Sequence, residues 1–127
     1  MLIDLAALLF ALLAAAVVVF QVALMFGAPL GHLTLGGKYP GRLPPRIRVI
    51  PALSAVLLSA FACVVLARAG LVFPSMAASA PLLVWFVVAY FGVGVLANFF
   101  TPSARERAIW LPVVLLMLAT SSFVAAS

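Results

Sequence analysis

The side chains that could carry chemistry in this sequence are few and far apart along the chain. It contains two carboxylates, Asp4 and Glu106, one histidine, His32, and one cysteine, Cys63. His32 has no cysteine or histidine near it in sequence, so no metal site is predicted. The single cysteine lies within an apolar run and cannot form an intrachain disulfide. An enzyme that uses His32 with Glu106 is therefore only the third hypothesis, and neither a catalytic residue nor a cofactor is predicted.

The basic side chains offer a more coherent chemistry, because six of the seven fall in two short segments between apolar runs. Arginine forks and glycine-exposed amides bind phosphate and carboxylate groups. We therefore predict an anion site for a lipid headgroup or a phosphorylated ligand. The predicted site residues are His32, Lys38, Arg42, Arg46, Arg48, Arg105 and Arg107, with Gln21, Asn98, Thr101 and Glu106 as supporting polar residues. The alternative interpretation is that these cations only orient the chain and snorkel to the interface.

The composition identifies the setting in which these residues act. Hydrophobic residues make up 69% of the chain and charged residues 7%, whereas about a quarter of a soluble domain is charged. Four apolar runs of 18 to 22 residues are each long enough to cross about 30 Å of hydrocarbon as a helix. They cover residues 5–26, 49–67, 82–100 and 109–126. The predicted fold is all-α, a polytopic membrane protein whose four transmembrane helices form two αα-hairpins in one domain.

The distribution of basic residues predicts the orientation of these helices. The first and third connections hold four and two basic residues, and the second holds one, Arg68. By the positive-inside rule the two basic connections, including the loop 27–48, face the cytoplasm, and both termini face outward. The first run lacks a basic segment before it and is too long for a secretory signal, so we interpret it as an uncleaved helix. The charge lies where it meets lipid headgroups, so nucleic acid is not a predicted partner.

The segment from Gly27 to Arg48, called the basic loop below, is predicted to pack back on the helices. It holds five of the eight glycines and four of the nine prolines, residues that break helices. Its leucines, Leu30, Leu33, Leu35 and Leu43, make it too apolar for a solvated linker. The loop should therefore form tight turns beneath the headgroups, against the ends of the helices.

The turn before the fourth run is predicted to contact this loop. Ser103 and Glu106 have the spacing of a capping box, in which the hydroxyl accepts from one backbone amide and the carboxylate reaches back to another. A start at Thr101, with the proline that follows it at the first helical position, is the competing interpretation. Glu106 is the only carboxylate on a face with six basic side chains. We therefore expect it to form an ion pair with Arg42, Arg46 or Arg48.

Polar residues of the third run are predicted to share one face that points into the bundle. Tyr90, Gly94, Asn98 and Thr101 follow one another at helical spacing. Asn98 and Gln21 of the first run come to the same depth if both runs span the membrane. Their amides are interpreted as partners in interhelical hydrogen bonds, and contact with a ligand is the alternative.

Three further residues have predicted structural roles in the membrane. Trp85 and Trp110 fall near opposite ends of their runs, where indole rings favour the interface, and are interpreted as anchors. Pro112 lies inside the fourth run, where it would leave the Ala108 carbonyl without its helical partner. A kink or a bound polar group is expected at that point.

The motifs of the basic connections resemble those of a bacterial family. The chain reads GAPLGHLTLGG after the first run, LPPRIR before the second and NFFTPSARER at the third connection, with a proline in the last run. This combination is similar to a widespread, uncharacterised family of small four-helix membrane proteins, and the similarity covers nearly the whole chain. The resemblance implies the fold and singles out the loops, and it implies no activity. This chain has Leu30 where that family usually has an aromatic residue.

Two leading hypotheses follow for the function. The first is a non-enzymatic protein of the bacterial inner membrane whose basic cytoplasmic face binds an anionic lipid headgroup or a partner protein. The second is a small transporter or flippase that works as an oligomer. A homo-oligomer is expected in both cases, because four short helices with few polar contacts bury little of themselves. A polar, outward-facing cavity would favour transport, and a closed bundle with a basic cap would favour binding.

Overall fold

Four α-helices account for most of the chain in a computed structural model that describes residues 1–127. The helices are α1 (Leu2–Met25), α2 (Val49–Arg68), α3 (Ala80–Phe99) and α4 (Ala104–Ala125), and there is no β-strand. Each helix is long and apolar enough to cross a membrane. The predicted all-α fold with four membrane-spanning helices is confirmed, and the architecture is that of a multi-pass membrane protein.

The helix bounds agree closely with the sequence prediction except at the start of α4. The hydropathy pattern places this start at residue 109, whereas the structure begins the helix at Ala104. Ser103 caps the earlier start, and the charged residues Arg105, Glu106 and Arg107 belong to the first turns of the helix. A polar first turn has no apolar signal, so hydropathy alone misses it. The competing start at Thr101 is wrong.

The helices form a bundle in which neighbours in sequence are neighbours in space. α1 packs mainly on α2, and α3 packs mainly on α4, which confirms the two predicted hairpins. α1 also packs on α4, whereas the contact between α2 and α3 is the least extensive of these four. In the core, the rings of Phe10 and Phe91 meet edge to face with centroids 5.4 Å apart. Ala7 and Ala14 are buried on α1, where small side chains let helices approach closely.

The outer surface of the bundle is apolar. Only 21 of the 127 residues are buried, and large hydrophobic side chains such as Leu12, Val56 and Phe86 are exposed along the helices. A soluble protein rarely exposes a continuous apolar surface of this extent. The surface is the one expected of helices that face lipid.

The basic loop is folded against one end of the bundle, as predicted. It forms two short 3-10 turns, Gly31–Leu33 and Leu35–Gly37, and its Leu43 side chain is buried. The Gly31 amide donates to the Gly41 carbonyl at 2.8 Å. A Cβ at Gly31 would lie 1.8 Å from the Tyr39 carbonyl oxygen, so only glycine fits where the two arms of the loop meet. Together with residues 100–103, this loop forms what we call the loop end of the bundle.

The connection between α2 and α3, residues 69–79, lies at the other end of the bundle, which we call the opposite end. It contains one 3-10 turn, Pro74–Met76. Phe73, just before this turn, has a left-handed backbone with φ of 49°. Its side chain is exposed, so this connection contributes little to the core.

Pro112 lies inside α4, as the sequence predicts. Proline has no backbone N–H, so the Ala108 carbonyl loses the partner that an ordinary residue would provide. Trp110, two residues before Pro112, and Val113, the residue after it, both line an internal cavity described below. The interruption therefore lies beside the cavity.

Candidate functional site

Glu106 joins the basic loop to α4. Its Oε2 accepts a hydrogen bond from the Gly36 backbone amide at 2.9 Å and another from the Thr101 hydroxyl at 3.4 Å. Gly36 has φ of 68°, a left-handed conformation that glycine adopts without strain. The carboxylate is half-buried and lies between the loop and the bundle.

Two further hydrogen bonds link the same segments. The Trp110 indole N–H donates to the Leu33 carbonyl at 2.7 Å, and the Ser103 hydroxyl donates to the His32 carbonyl at 3.5 Å. The Trp110 ring also contacts Phe20, with centroids 4.7 Å apart. Trp110 therefore binds the loop through its polar edge and packs its ring on α1, and its role as an interface anchor stays a prediction.

The capping box is half confirmed. Ser103 Oγ accepts from the Glu106 backbone amide at 3.2 Å, as predicted. The Glu106 carboxylate does not reach back to the Ser103 amide, which donates to the Thr101 hydroxyl at 3.4 Å. The Glu106 carboxylate binds the Gly36 amide of the loop in place of the Ser103 amide that a complete capping box would use.

The predicted ion pair between Glu106 and an arginine is wrong. Both hydrogen bonds to the carboxylate come from uncharged donors, Gly36 and Thr101. The Arg48 guanidinium donates through Nε to the Leu43 carbonyl at 2.9 Å and so stabilises its own loop. Arg42 and Arg46 are exposed. The Gly36 amide and the Thr101 hydroxyl bind Glu106 without the entropic cost of ordering a flexible arginine side chain.

The basic side chains divide into two groups. Arg107 donates to the carbonyls of Phe99 and Thr101 at 3.1 and 2.7 Å, and so satisfies one carbonyl of the last residue of α3 and one just after the helix. It and Arg48 are half-buried and have structural partners. The other four, Lys38, Arg42, Arg46 and Arg105, are exposed and make no hydrogen bond within the chain. The predicted cationic face is present, with four available charges.

His32 contributes its backbone to the site. Its carbonyl accepts from Ser103, and its half-buried imidazole makes no hydrogen bond with Glu106. The pairing on which the enzyme hypothesis depends is absent from this arrangement.

A cavity of about 340 Å³ lies inside the bundle at the loop end. Its polar lining residues come from all four helices and the basic loop, and they are Gln21, Thr34, Ser54, Tyr90, Asn98 and Glu106. The remaining lining is mostly aliphatic and aromatic. The common depth predicted for Gln21 and Asn98 is confirmed, because both line this one cavity.

The amides of the cavity are not paired across helices. The Asn98 side-chain N–H donates to the Gly94 carbonyl at 2.8 Å, within its own helix. Its carbonyl oxygen and the Gln21 amide make no hydrogen bond inside the protein. The predicted interhelical bond is therefore wrong. Of the predicted polar face on α3, Tyr90, Gly94 and Asn98 line the cavity, whereas Thr101 binds Glu106 outside its lining.

The lining of the cavity reaches the surface of the bundle on α3. Val93 is 67% exposed, and Tyr90, one helical turn before it, is 40% exposed. Ser54 and Leu58 line the cavity from α2, and the Phe61 ring of α2 packs on Tyr90 with centroids 4.9 Å apart. Sequence reasoning missed Ser54 and Thr34, since a single hydroxyl in an apolar run gives no periodic signal.

Comparison with known proteins adds no family to this description, since no family model, curated protein or solved structure matches the chain significantly. The chain also has no group of three or more histidine, cysteine or acidic side chains that could hold a metal ion. The geometry of the loop end is therefore the basis for a functional proposal.

Proposed function

We propose that this protein binds anionic lipid headgroups at its loop end, which faces the cytoplasm. The observation that carries this proposal is the set of four exposed basic side chains without a hydrogen-bond partner in the chain, Lys38, Arg42, Arg46 and Arg105. Each basic side chain near an anionic membrane surface contributes about 1 kcal/mol of attraction. The basic loop carries three of these charges and the first turn of α4 carries Arg105, so all four lie at the end of the bundle where headgroups would begin.

The orientation follows from the same charges. Six basic residues lie at the loop end, and Arg68 alone lies near the opposite end. The positive-inside rule places the richer end in the cytoplasm. We further propose that the protein belongs to the bacterial family of small four-helix membrane proteins that its loop motifs resemble. Its membrane is then the bacterial inner membrane.

Cysteine accessibility tests the orientation. In a background with Cys63→Ala, Lys38→Cys should be protected from an impermeant thiol reagent on intact cells. Ser75→Cys, on the exposed connection at the opposite end, should react. The reverse pattern would contradict the proposed orientation.

Lipid retention in nanodiscs tests the binding itself. The double variant Arg42→Gln with Arg46→Gln should retain several-fold less phosphatidylglycerol relative to phosphatidylcholine than the unchanged protein. The matched control, Arg42→Lys with Arg46→Lys, keeps both charges and should retain the anionic lipid. Salt should reduce the difference, because exposed charges are screened. Equal retention by all three proteins would overturn the proposal.

A small oligomeric transporter is the second candidate. The cavity at the loop end favours it, since polar groups surround a space whose lining reaches the lipid-facing surface at Val93 of α3. A cavity that favours transport is expected at the outward end of the bundle, whereas this cavity lies at the proposed cytoplasmic end. Lipid binding at the basic face therefore stays the first candidate. The homo-oligomer stays a prediction for both.

A further inference from the structure

We propose that the cavity at the loop end binds an amphiphilic organic cation, with Glu106 as the anionic partner. This site is separate from the basic face, because no lysine or arginine lines the cavity. Its volume of about 340 Å³ is within the range of about 300–1,000 Å³ that is common for small-molecule sites.

The first argument is the charge of Glu106. Oε2 holds the two hydrogen bonds from Gly36 and Thr101, and Oε1 accepts none. No basic side chain compensates the carboxylate, although it lines an internal cavity between apolar helices. A carboxylate in such surroundings is costly unless it is paired. A ligand that brings a positive charge to Oε1 supplies the missing partner.

The second argument is the hydrogen-bonding character of the neutral polar groups. The Asn98 side chain donates one of its two N–H groups to the Gly94 carbonyl, and its carbonyl oxygen has no partner in the chain. The Ser54 hydroxyl and the Gln21 amide also have no partner in the chain and can accept as well as donate. The cavity therefore has free acceptors beside Glu106 for any N–H donor that a cationic ligand carries.

The third argument is the rest of the wall. Phe20, Tyr90, Phe91 and Trp110 bring aromatic rings to the cavity. Aromatic faces attract organic cations, and the attraction increases where water is excluded. Leu58 and the neighbouring aliphatic side chains suit the hydrocarbon part of an amphiphile. Such a ligand partitions into the bilayer, and the cavity lining reaches the lipid-facing surface at the exposed Val93.

The charge requirement can be tested with two probes of nearly equal size and shape. Tetraphenylphosphonium is a cation, and tetraphenylborate is the corresponding anion. Equilibrium dialysis on the purified full chain in a neutral detergent should show saturable binding of the cation and none of the anion. Equal binding of both probes would indicate nonspecific partitioning, and absence of cation binding would remove the site. Either result overturns the proposal.

Substitution of the carboxylate tests its role. Glu106→Gln keeps an acceptor for the Gly36 amide and removes the charge. It should weaken binding of tetraphenylphosphonium by roughly tenfold or more, because it removes the negative charge that attracts the cation. Unchanged affinity for the cation would overturn the assignment of Glu106.

A second pair of variants locates the site without changing Glu106. Gly94 lines the cavity, whereas Gly92 does not, and both have open space where a Cβ would stand. Gly94→Leu should abolish cation binding by filling the cavity, and Gly92→Leu should leave it unchanged. Equal effects of these two substitutions would show that the cation binds elsewhere. This pair decides the location even if Glu106→Gln fails to fold.

Discussion

The two ends of the bundle are held together in different ways. At the loop end, Gly36 binds Glu106, and Trp110 binds Leu33, so hydrogen bonds join segments 70 and 77 residues apart. At the opposite end, the connection 69–79 makes mainly local hydrogen bonds, such as that from the Ser79 hydroxyl to the Met76 carbonyl at 3.3 Å. One long-range hydrogen bond is present there, from the Arg68 guanidinium at the end of α2 to the Ser127 carbonyl after α4. Lipid gives helices no hydrophobic reason to associate. Polar contacts at one end can therefore account for a large part of the specificity of this bundle.

Gly31→Ala should have the largest effect on this comparison. The new Cβ would overlap the Tyr39 carbonyl oxygen, 1.8 Å away, and backbone cannot yield as a side chain can. We expect a loss of about 3 kcal/mol in the free energy of unfolding, at the upper end for an overpacked site. Thermal unfolding in detergent measures it. Gly92→Ala, on α3 with open space around it, is the control and should not lower the melting temperature. Equal melting temperatures for the two variants would contradict the role of Gly31.

Glu106→Ala should have the next largest effect. It leaves the Gly36 amide without its acceptor, which costs about 2 kcal/mol for a buried donor. Glu106→Gln should recover most of this loss, because a side-chain amide oxygen can accept the same bond. Limited proteolysis of the basic loop and thermal unfolding would both report the change. A loop no more susceptible to protease in the alanine variant would contradict the prediction.

The same substitution separates the carboxylate from the basic face. Because Glu106 holds no arginine, its replacement by glutamine releases no cation for lipid. Retention of phosphatidylglycerol by Glu106→Gln should therefore match that of the unchanged protein. Tighter retention would restore the ion pair that the structure replaces with the Gly36 contact.

Trp110→Phe compares the two tryptophans. The substitution keeps an aromatic ring and removes the N–H that binds the Leu33 carbonyl. We expect a loss of about 1.5 kcal/mol, the scale for one hydrogen bond whose partner becomes unsatisfied. Trp85→Phe is the matched control, since Trp85 is 50% exposed and makes no hydrogen bond within the chain. Chemical unfolding in mixed micelles should rank the two variants in this order, and equal losses would argue against the loop contact.

The two serine caps give the smallest and most direct comparison. Ser103 precedes α4 and accepts from the Glu106 amide, whereas Ser79 precedes α3 without a side-chain cap. Ser103→Ala should cost about 1 kcal/mol, as is usual for loss of a helix cap. Ser79→Ala should change stability by less than about 0.5 kcal/mol. If Ser79→Ala costs as much as Ser103→Ala, the two ends are not stabilised differently.

The helices of this protein could be predicted from its sequence, and the contacts of its loop end only in part. Apolar runs that are long enough to cross the hydrocarbon of a membrane can form few folds other than a helix bundle. The cap at Ser103 has a local sequence signature, a glutamate three residues after the serine, so the sequence predicts it. The sequence does not predict the partner of Glu106, because the position of the Gly36 amide depends on the left-handed backbone of a loop 70 residues away. No spacing along the chain records such a contact.

The sequence also did not predict the cavity. The helical spacing on α3 identified Tyr90, Gly94 and Asn98 as one inward face. Ser54 and Thr34 stand alone among apolar residues, and only the packing of separate segments brings them to the same space. The distribution of charge predicted the wrong partner for Glu106, because six cations on the same face as one carboxylate suggested an ion pair. The Gly36 backbone amide and the Thr101 hydroxyl bind the carboxylate instead.

Pro112 gives the loop end a mechanical property. The turns of α4 before it carry Glu106 and Trp110, and both are fastened to the basic loop. The loop and these turns are thus coupled by hydrogen bonds, while the part of α4 beyond Pro112 packs in the core through Met117 and Val124. A helix bends most easily where proline removes one of its backbone hydrogen bonds. The point at which α4 bends most easily therefore lies beside the cavity, and a bend there would change the volume that the cavity encloses.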